Sequence, residues 1–267
     1  MSKENIKSDQ QFRDFIKNQR LAEAEGDTPL QKIINVLAAM VAPGVTTKQI
    51  DDMAAFLCVG HGVTPAFLGY KPPNFAGADG FPATCCVSIN DEVIHGIPSE
   101  DRVMQEGDVV KIDLGTEKDG QFDDGATTVL CAHKDEDGKY INTSATARKL
   151  VKATKEALEA GVAQAHSGKT THDIAAAVEA VAKKYDLHVV HGYGGHGIGE
   201  QLHMEPHIPN EVAGSAPPTP LVAGQRIAIE PMFGTNHGFT FVAPDGWTIK
   251  LRNGGLAAHF EQTVTVR

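Results

Sequence analysis

The chain has 267 residues, 41% of them apolar, enough for a sizeable core in one large domain or two small ones. Its formal net charge of −10 argues against nucleic acid as a main partner, since phosphate binding needs clustered Lys and Arg. No apolar run approaches the roughly 20 residues that cross a bilayer, and the opening MSKENIKSDQQFRDF has no apolar h-region, so the sequence reads as a cytoplasmic protein without membrane span or secretory signal.

In chain order, the first 26 residues are polar and charged and predict a loosely attached helix over Asp9–Glu25. Thr28-Pro29-Leu30-Gln31 reads as a helix start: Thr28 caps, Pro29 suits the first turn, and Gln31 closes a capping box. Ile33, Ile34, Leu37 and Met40 follow as an apolar stripe at helical spacing, and Pro43-Gly44 stops it. A second helix starts at Thr46 or Thr47 and carries Ile50, Met53, Ala54 and Leu57. Gly62–Pro82, rich in Gly and Pro, predicts a long loop with little regular structure. Strands are expected around Cys86–Asn90, Asp108–Gly115 and Phe122–Ala132, a turn at Asp135–Gly138, and helices over Ser144–Ala165 and Thr171–Tyr185. Beyond them come strands and loops, with a hairpin of Phe239–Val242 and Trp247–Leu251 around Pro244-Asp245-Gly246, and a last strand over His259–Val266. Cys58, Cys85, Cys86 and Cys131 match no zinc spacing, and the adjacent pair makes a poor disulfide framework, so they read as reduced, packing thiols.

An internal repeat is visible. Pro43–Ile50 (PGVTTKQI) resembles Ser167–Ile174 (SGKTTHDI), each between two helical patterns. Gly107–Asp113 (GDVVKID) resembles Gly224–Glu230 (GQRIAIE), each a strand pattern ending in a carboxylate. Two copies of a helix-helix-strand unit related by a pseudo-twofold would bring Asp113 and Glu230 to matching places near the centre.

Five positions carry the chemistry: Asp113, Asp124, His196, Glu230 and Glu261. Asp113 interrupts the apolar run VVKIDLG, where a carboxylate needs a partner for its charge. Asp124 lies eleven residues on, a separation that suits the next strand of a hairpin. His196 sits in GGHGIG, where the glycines would let the backbone crowd close to a ligand. Glu230 ends the apolar run of IAIEPM, and Glu261 lies among strand residues in HFEQTVTV. Taken singly, Asp123 and Asp124 read as turn residues, Glu261 as a solvent-facing strand residue and His196 as a satisfied loop histidine. As a set they differ: four carboxylates on inner strands cannot converge unneutralised, and two divalent cations would balance them. Hard oxygen ligands with one imidazole fit a first-row divalent pair.

VIHGIP (Val93–Pro98), KIDLG (Lys111–Gly115), GHGIG (Gly195–Gly199), LHMEP (Leu202–Pro206), IEPM (Ile229–Met232) and HFEQTV (His259–Val264) resemble the motifs of type I methionine aminopeptidases. The likeness covers Thr28–Arg267 and leaves residues 1–27 as an N-terminal extension before a single domain, 28–267. It implies an α+β "pita-bread" fold, shared with aminopeptidase P, prolidase and creatinase, in which pseudo-twofold duplicated halves surround a central antiparallel sheet. The implied activity is removal of the initiator methionine from nascent polypeptides, with preference for a small second residue.

The resemblance also implies roles. Asp124 and Glu261 would bridge two divalent ions (Co, Mn, Fe(II) or Zn), His196 and Glu230 completing one site and Asp113 the other. Glu230 would shuttle the proton of a water nucleophile, His203 would hydrogen-bond the scissile carbonyl region, and His95 would contact the substrate near the leaving amide. Phe81, Cys86, Leu202 and Trp247 fall where the family has methionine-pocket residues; the remaining histidines, His259 among them, read as surface or packing residues. The implied partner is the N-terminal peptide of a nascent chain, with the ribosome a further candidate, and the implied state is a monomer.

Three departures stand out: Gly125-Ala126 follow Asp124 where a small hydroxyl residue is usual, Leu202 replaces an aromatic, and the Val63–Gly80 loop is longer than is typical. Three alternatives are weighed against this reading. The interval from His203 to Glu230 is too short for a type II insertion. Proline-directed relatives carry a further N-terminal domain, and only 27 residues precede the fold here. A non-catalytic binding protein on the same fold would have lost ligands, and all five remain.

Overall fold

The computed structural model describes residues 26–72, 79–133 and 141–267; the helix expected over residues 9–25 and the turn expected over 135–138 lie outside them. Thr28 caps α1 (Pro29–Met40), its hydroxyl accepting from the Gln31 amide at 3.2 Å. The Gln31 side chain accepts from Asp27 N (3.0 Å), so the expected box closes one residue further out. In α2 (Thr47–His61) the box is regular, between Thr46 and Gln49, and the helix ends at Gly62, whose φ of 64° is the left-handed cap that glycine favours.

β1 (Thr64–Pro65) lies inside the segment expected to be irregular; Pro65 is tolerated because this is a sheet edge. β2 (Cys86–Ile89) and β3 (Glu92–Ile94) follow, the latter too short to show in sequence periodicity. β4 (Val109–Lys118) and β5 (Gln121–Leu130) form a hairpin through Asp119 and Gly120, both at positive φ, which matches the twist of tight hairpins. Ser144 caps α3 (Ala145–Val162), and α4 (Thr171–Lys184) starts with the Asp173 carboxylate accepting from the Thr170 amide and hydroxyl, both at 2.8 Å.

Short strands complete the chain: β6 (His188–Val189), β7 (Gly194–Gly197), β8 (Met204–Pro209), β9 (Arg226–Ile229), β10 (Met232–Gly234), β11 (Thr240–Val242), β12 (Ile249–Leu251), β13 (Ala257–His259) and β14 (Glu261–Thr265). β11 and β12 form the expected hairpin, and β3 joins its β12 side. The last expected strand is two: the chain switches sheets at Phe260, whose buried ring packs with the β9–β14 side of the core.

The central sheet runs β1-β4-β5-β14-β9-β7-β8, with β2 also on β4, and its pairings are antiparallel. The repeat seen in sequence is a repeat in space. Thr46 and Thr170, at the starts of α2 and α4, each bridge a residue ahead of the matching strand, Val103 and Pro220. Gly44 and Gly168 share φ near +90° (89° and 90°), as do Gly107 and Gly224 (92° and 84°).

Strand alternation separates core from site. Val110, Ile112 and Leu114 on β4 pack with Ile33, Leu37 and Ile50 of the helices. Ile227 and Ile229 on β9 pack with Leu158 of α3 and Ile174 of α4. Asp113 on β4 and Glu230, the residue after β9, alternate with these and line the cavity on the other face.

Candidate metal centre and substrate pocket

The register assembles the carboxylates. Asp113 and Glu261 both lie opposite Ala126 of β5, one from each side. Asp124 pairs with Gly115, two residues from Ala126 and so on its face. The pairing of Gln262 with Ile229, extended by one residue, sets Glu230 opposite Glu261. His196 enters from β7, where Gly197 pairs with Ile227. Asp113, Asp124, His196 and Glu261 are all buried, and the Glu230 side chain is 12% exposed.

The ligand atoms form overlapping triads: Asp113, Asp124 and Glu261; His196, Glu230 and Glu261; Asp124, His196 and His203. His196 Nε2 lies 3.8 Å from Asp124 Oδ2, 3.9 Å from Glu261 Oε1 and 4.0 Å from Glu230 Oε1. Its Nδ1 is 2.9 Å from the Gly197 carbonyl, which can only accept, so Nδ1 carries the hydrogen and Nε2 presents a lone pair to the carboxylates. Burial also holds the His196 imidazole below its ordinary pKa.

Without a counter-charge this cluster is strained electrostatically. Burial pushes Asp113, Asp124, Glu230 and Glu261 well above the carboxylate range. Glu230 adds to the shift of Asp113, Asp113 to that of Asp124, and Asp124 to those of Glu230 and Glu261. Asp113 Oδ1 is buried with no hydrogen-bond donor. Hard oxygens in need of charge, with one imidazole lone pair among them, fit a first-row divalent cation.

Beside the cluster opens a cavity of about 380 Å³. Its walls include Phe67, Tyr70, Phe81, Cys86, His95 and Trp247. The Phe81 and Trp247 rings meet edge-on with centroids 5.2 Å apart. Gly69 N donates to Phe81 O (2.8 Å) and Phe81 N to Tyr70 O (2.9 Å), so backbone bonds set Tyr70 and Phe81 side by side. Leu202, expected in the pocket, belongs to the same apolar cluster but is not among the residues that line the cavity. Cys86 lies opposite Asp113 on β2, and burial raises its thiol pKa.

His95 adopts φ 59°, and its ring is 6.4 Å from Trp247. Burial lowers its pKa to about 4. The His203 ring sits 4.3 Å from that of His196, and burial, followed by the His196 and His95 rings, lowers its pKa. The structure therefore draws His95, Asp113, Asp124, His196, His203, Glu230 and Glu261 to one cavity.

Two details differ from expectation. The glycines around His196 admit neighbouring strands: a Cβ on Gly195 would meet Ala228 O at 2.0 Å, and one on Gly197 would meet Glu205 O at 2.2 Å. His259, among the histidines that read as surface or packing residues, is 1% exposed with Nε2 3.5 Å from Glu230 Oε2. Its place two residues before Glu261 is the one sequence signal that could have found it. Phe67 and Tyr70 carry no signal in the sequence, because a Gly/Pro-rich loop gives aromatic residues no periodic context.

Residues 30–267 match the profile of metallopeptidase family M24. A methionine aminopeptidase of Aquifex aeolicus is 43% identical over 236 residues, spanning 88% of this chain and 87% of that one. A methionine aminopeptidase 1 of Mycobacterium tuberculosis is 40% identical over 87% of this chain and 83% of its own. The crystal structure of a methionine aminopeptidase from Rickettsia prowazekii superposes with a TM-score of 0.79 at 30% identity, over 95% of this chain and 93% of that one.

Proposed function

The chain belongs to metallopeptidase family M24, and we propose that it is a type I methionine aminopeptidase, removing N-terminal methionine from polypeptides with a small second residue. One observation carries this reading: three buried carboxylates, the largely buried Glu230 and an imidazole lone pair converge beside an apolar cavity walled by Phe81 and Trp247. Residues 28–267 form the catalytic unit in this reading, and residues 1–27 an extension.

Asp113, Asp124, His196, Glu230 and Glu261 would hold two divalent ions. Glu261, Asp124 and His196 each belong to two of the three triads, and of these only the two carboxylates have a second oxygen to offer, which supports a shared role for Asp124 and Glu261. When bound, such a pair supplies Lewis-acid polarisation and an acidified water at neutral pH, whichever of Co, Mn, Fe(II) or Zn is present. Glu230, which lines the cavity, would take the proton of the attacking water and deliver it to the leaving amine. His203 donates a hydrogen bond toward the scissile carbonyl, and His95 contacts the substrate near the leaving amide. Both remain neutral at physiological pH, so each keeps one donor and one acceptor.

The methionine side chain enters between Phe81, Cys86 and Trp247, where sulfur–aromatic contacts contribute about 0.3–1.5 kcal/mol each. We place the enzyme in the cytoplasm as a monomer acting on nascent chains at the ribosome; its four free, buried cysteines suit a reducing compartment. Among the described residues no helix is long and apolar enough to cross a membrane.

The test is hydrolysis of Met-Ala-Ser and Ala-Pro-Ala by chelator-treated protein resupplied with Mn, Fe(II), Co or Zn. Metal-dependent release of methionine, with the proline peptide intact, is the expected result. Cleavage of the proline peptide would move the protein to the aminopeptidase P branch, and cleavage of neither would make it a binding protein.

A further inference from the structure

We infer that His259 is a positioning residue of the metal centre, its ring N–H orienting Glu230 from behind. The inference rests on the function proposed above and deepens it. His259 is 1% exposed, and neither ring nitrogen has a hydrogen-bond partner. Buried polar atoms rarely stay unpartnered unless a site requires it. Nε2 lies 3.5 Å from Glu230 Oε2 and 4.0 Å from Glu261 Oε2. The other oxygen of each carboxylate, Oε1, faces His196 Nε2 at 4.0 and 3.9 Å. Both glutamates thus stand between two imidazoles, one on the ligand side and one behind.

The ring is held there by its backbone. The Thr128 hydroxyl donates to His259 O (2.5 Å) and accepts from His259 N (2.9 Å). On the other side His259 pairs with Met232 of β10, so it lies across from the segment that carries Glu230. The sheet switch at Phe260 puts His259 on β13 and Glu261 on β14, which lets the histidine approach from outside the ligand strand. A carboxylate drawn toward a cation through one oxygen needs a donor on the other to fix its plane, and outer partners of this kind orient ligands in many metal sites. The Nε2–H tautomer supplies that donor.

The test compares the full-length wild type with His259→Gln, which keeps an N–H donor, and His259→Phe, which keeps volume without one. Metal-stripped proteins are titrated with Mn²⁺ by calorimetry, and kcat and KM are measured on Met-Ala-Ser. The expected result is wild-type-like binding for His259→Gln. For His259→Phe, at least one equivalent should weaken about 10- to 100-fold, with kcat lowered, KM unchanged and metal-free melting unchanged. If His259→Phe does not fold, His259→Leu takes its place. Wild-type affinity and turnover in the donor-less variant would overturn the inference, as would a His259→Gln as impaired as His259→Phe. A wild type that binds no Mn²⁺ would instead overturn the function on which the inference rests.

Discussion

The hydroxyl of Tyr70 lies 2.6 Å from Nδ1 of His203. Burial, and then the charge of Asp124, hold this phenol above its ordinary pKa, so it keeps its proton and can donate it to Nδ1. Nδ1 then accepts, and Nε2 carries the hydrogen that a scissile carbonyl would receive. Tyr70→Phe should therefore lower kcat on Met-Ala-Ser by about 10-fold, one lost hydrogen bond being worth about 1–1.5 kcal/mol. Its metal content by atomic absorption should match wild type. His203→Ala should go further in the same direction, again with full metal content, whereas loss of metal would make His203 a ligand.

Asp113→Asn tests the ligand assignment through stability as well as rate. In the metal-free protein the change removes a buried charge that Glu230 and Asp124 oppose, so the variant should melt no lower than wild type at pH 8. The rise in Tm on adding Mn²⁺ should shrink sharply, because a site filled at a thousand times its Kd contributes about 4.1 kcal/mol. Turnover should fall by orders of magnitude. A full metal-induced shift in this variant would remove Asp113 from the site.

Much of this site was legible because strand alternation is short-ranged. VVKIDLG shows a carboxylate between Ile112 and Leu114, and the fold gives those neighbours to the helices and Asp113 to the cavity. The repeated GDVVKID and GQRIAIE carried the pseudo-twofold for the same reason. What stayed hidden depends on contacts distant in sequence. The meeting of Asp113 and Glu261 across Ala126 is a register between three strands. The switch at Phe260 has no marker in an alternating run from His259 to Val266, so His259 could not be aimed. Tyr70 meets His203 only because backbone bonds at Gly69, Tyr70 and Phe81 close a loop.

The raised carboxylates give metal binding a definite pH dependence. Asp113, Asp124, Glu230 and Glu261 have folded pKa values above the unfolded ones, so in metal-free protein they favour folding below the unfolded carboxylate range. That contribution is lost as pH rises through the folded values. His95 and His259 are lowered, to about 4 and about 3, so their contribution is present above the ordinary value of 6.5 and lost as pH falls from there toward those values. Cations bound by these residues would replace the protons on the carboxylates. The difference in Tm between Mn²⁺-loaded and metal-free protein should therefore be largest near pH 8 and shrink steadily toward pH 5. A difference that is flat with pH would mean that the carboxylates are not the ligands.

The pocket wall predicts a change in selectivity. Trp247→Ala removes the edge-on contact with Phe81, worth about 0.5–1.5 kcal/mol beyond area burial, and opens the cavity. The kcat/KM for Met-Ala-Ser should fall about 10- to 100-fold, in line with about 1–3 kcal/mol for altered apolar contacts. The loss should be smaller for peptides starting with a bulkier apolar residue. Steady-state kinetics on Met- and Phe-initiated peptides decide it: an equal loss for both would mean that Trp247 supports the fold and does not select the side chain.

Gly195→Ala tests whether close strand packing aims His196. The added Cβ would lie 2.0 Å from Ala228 O and 2.9 Å from Ala228 C, both backbone atoms that cannot rotate away. β7 must then move off β9, at a cost of about 1–3 kcal/mol or more, and carry His196 with it. Expected are a lower unfolding midpoint and weakened binding of the metal that His196 would ligate. Gly199→Ala is the control in the same motif, since its Cβ would meet Met204 Sδ at 3.6 Å, an ordinary contact with a flexible side chain. It should keep wild-type Mn²⁺ affinity and melt within about 0.5–1 kcal/mol of wild type, a change on the scale of ordinary glycine-to-alanine effects. Equal metal affinity in both variants would mean that the glycine-lined approach of β7 to β9 does not set the position of His196.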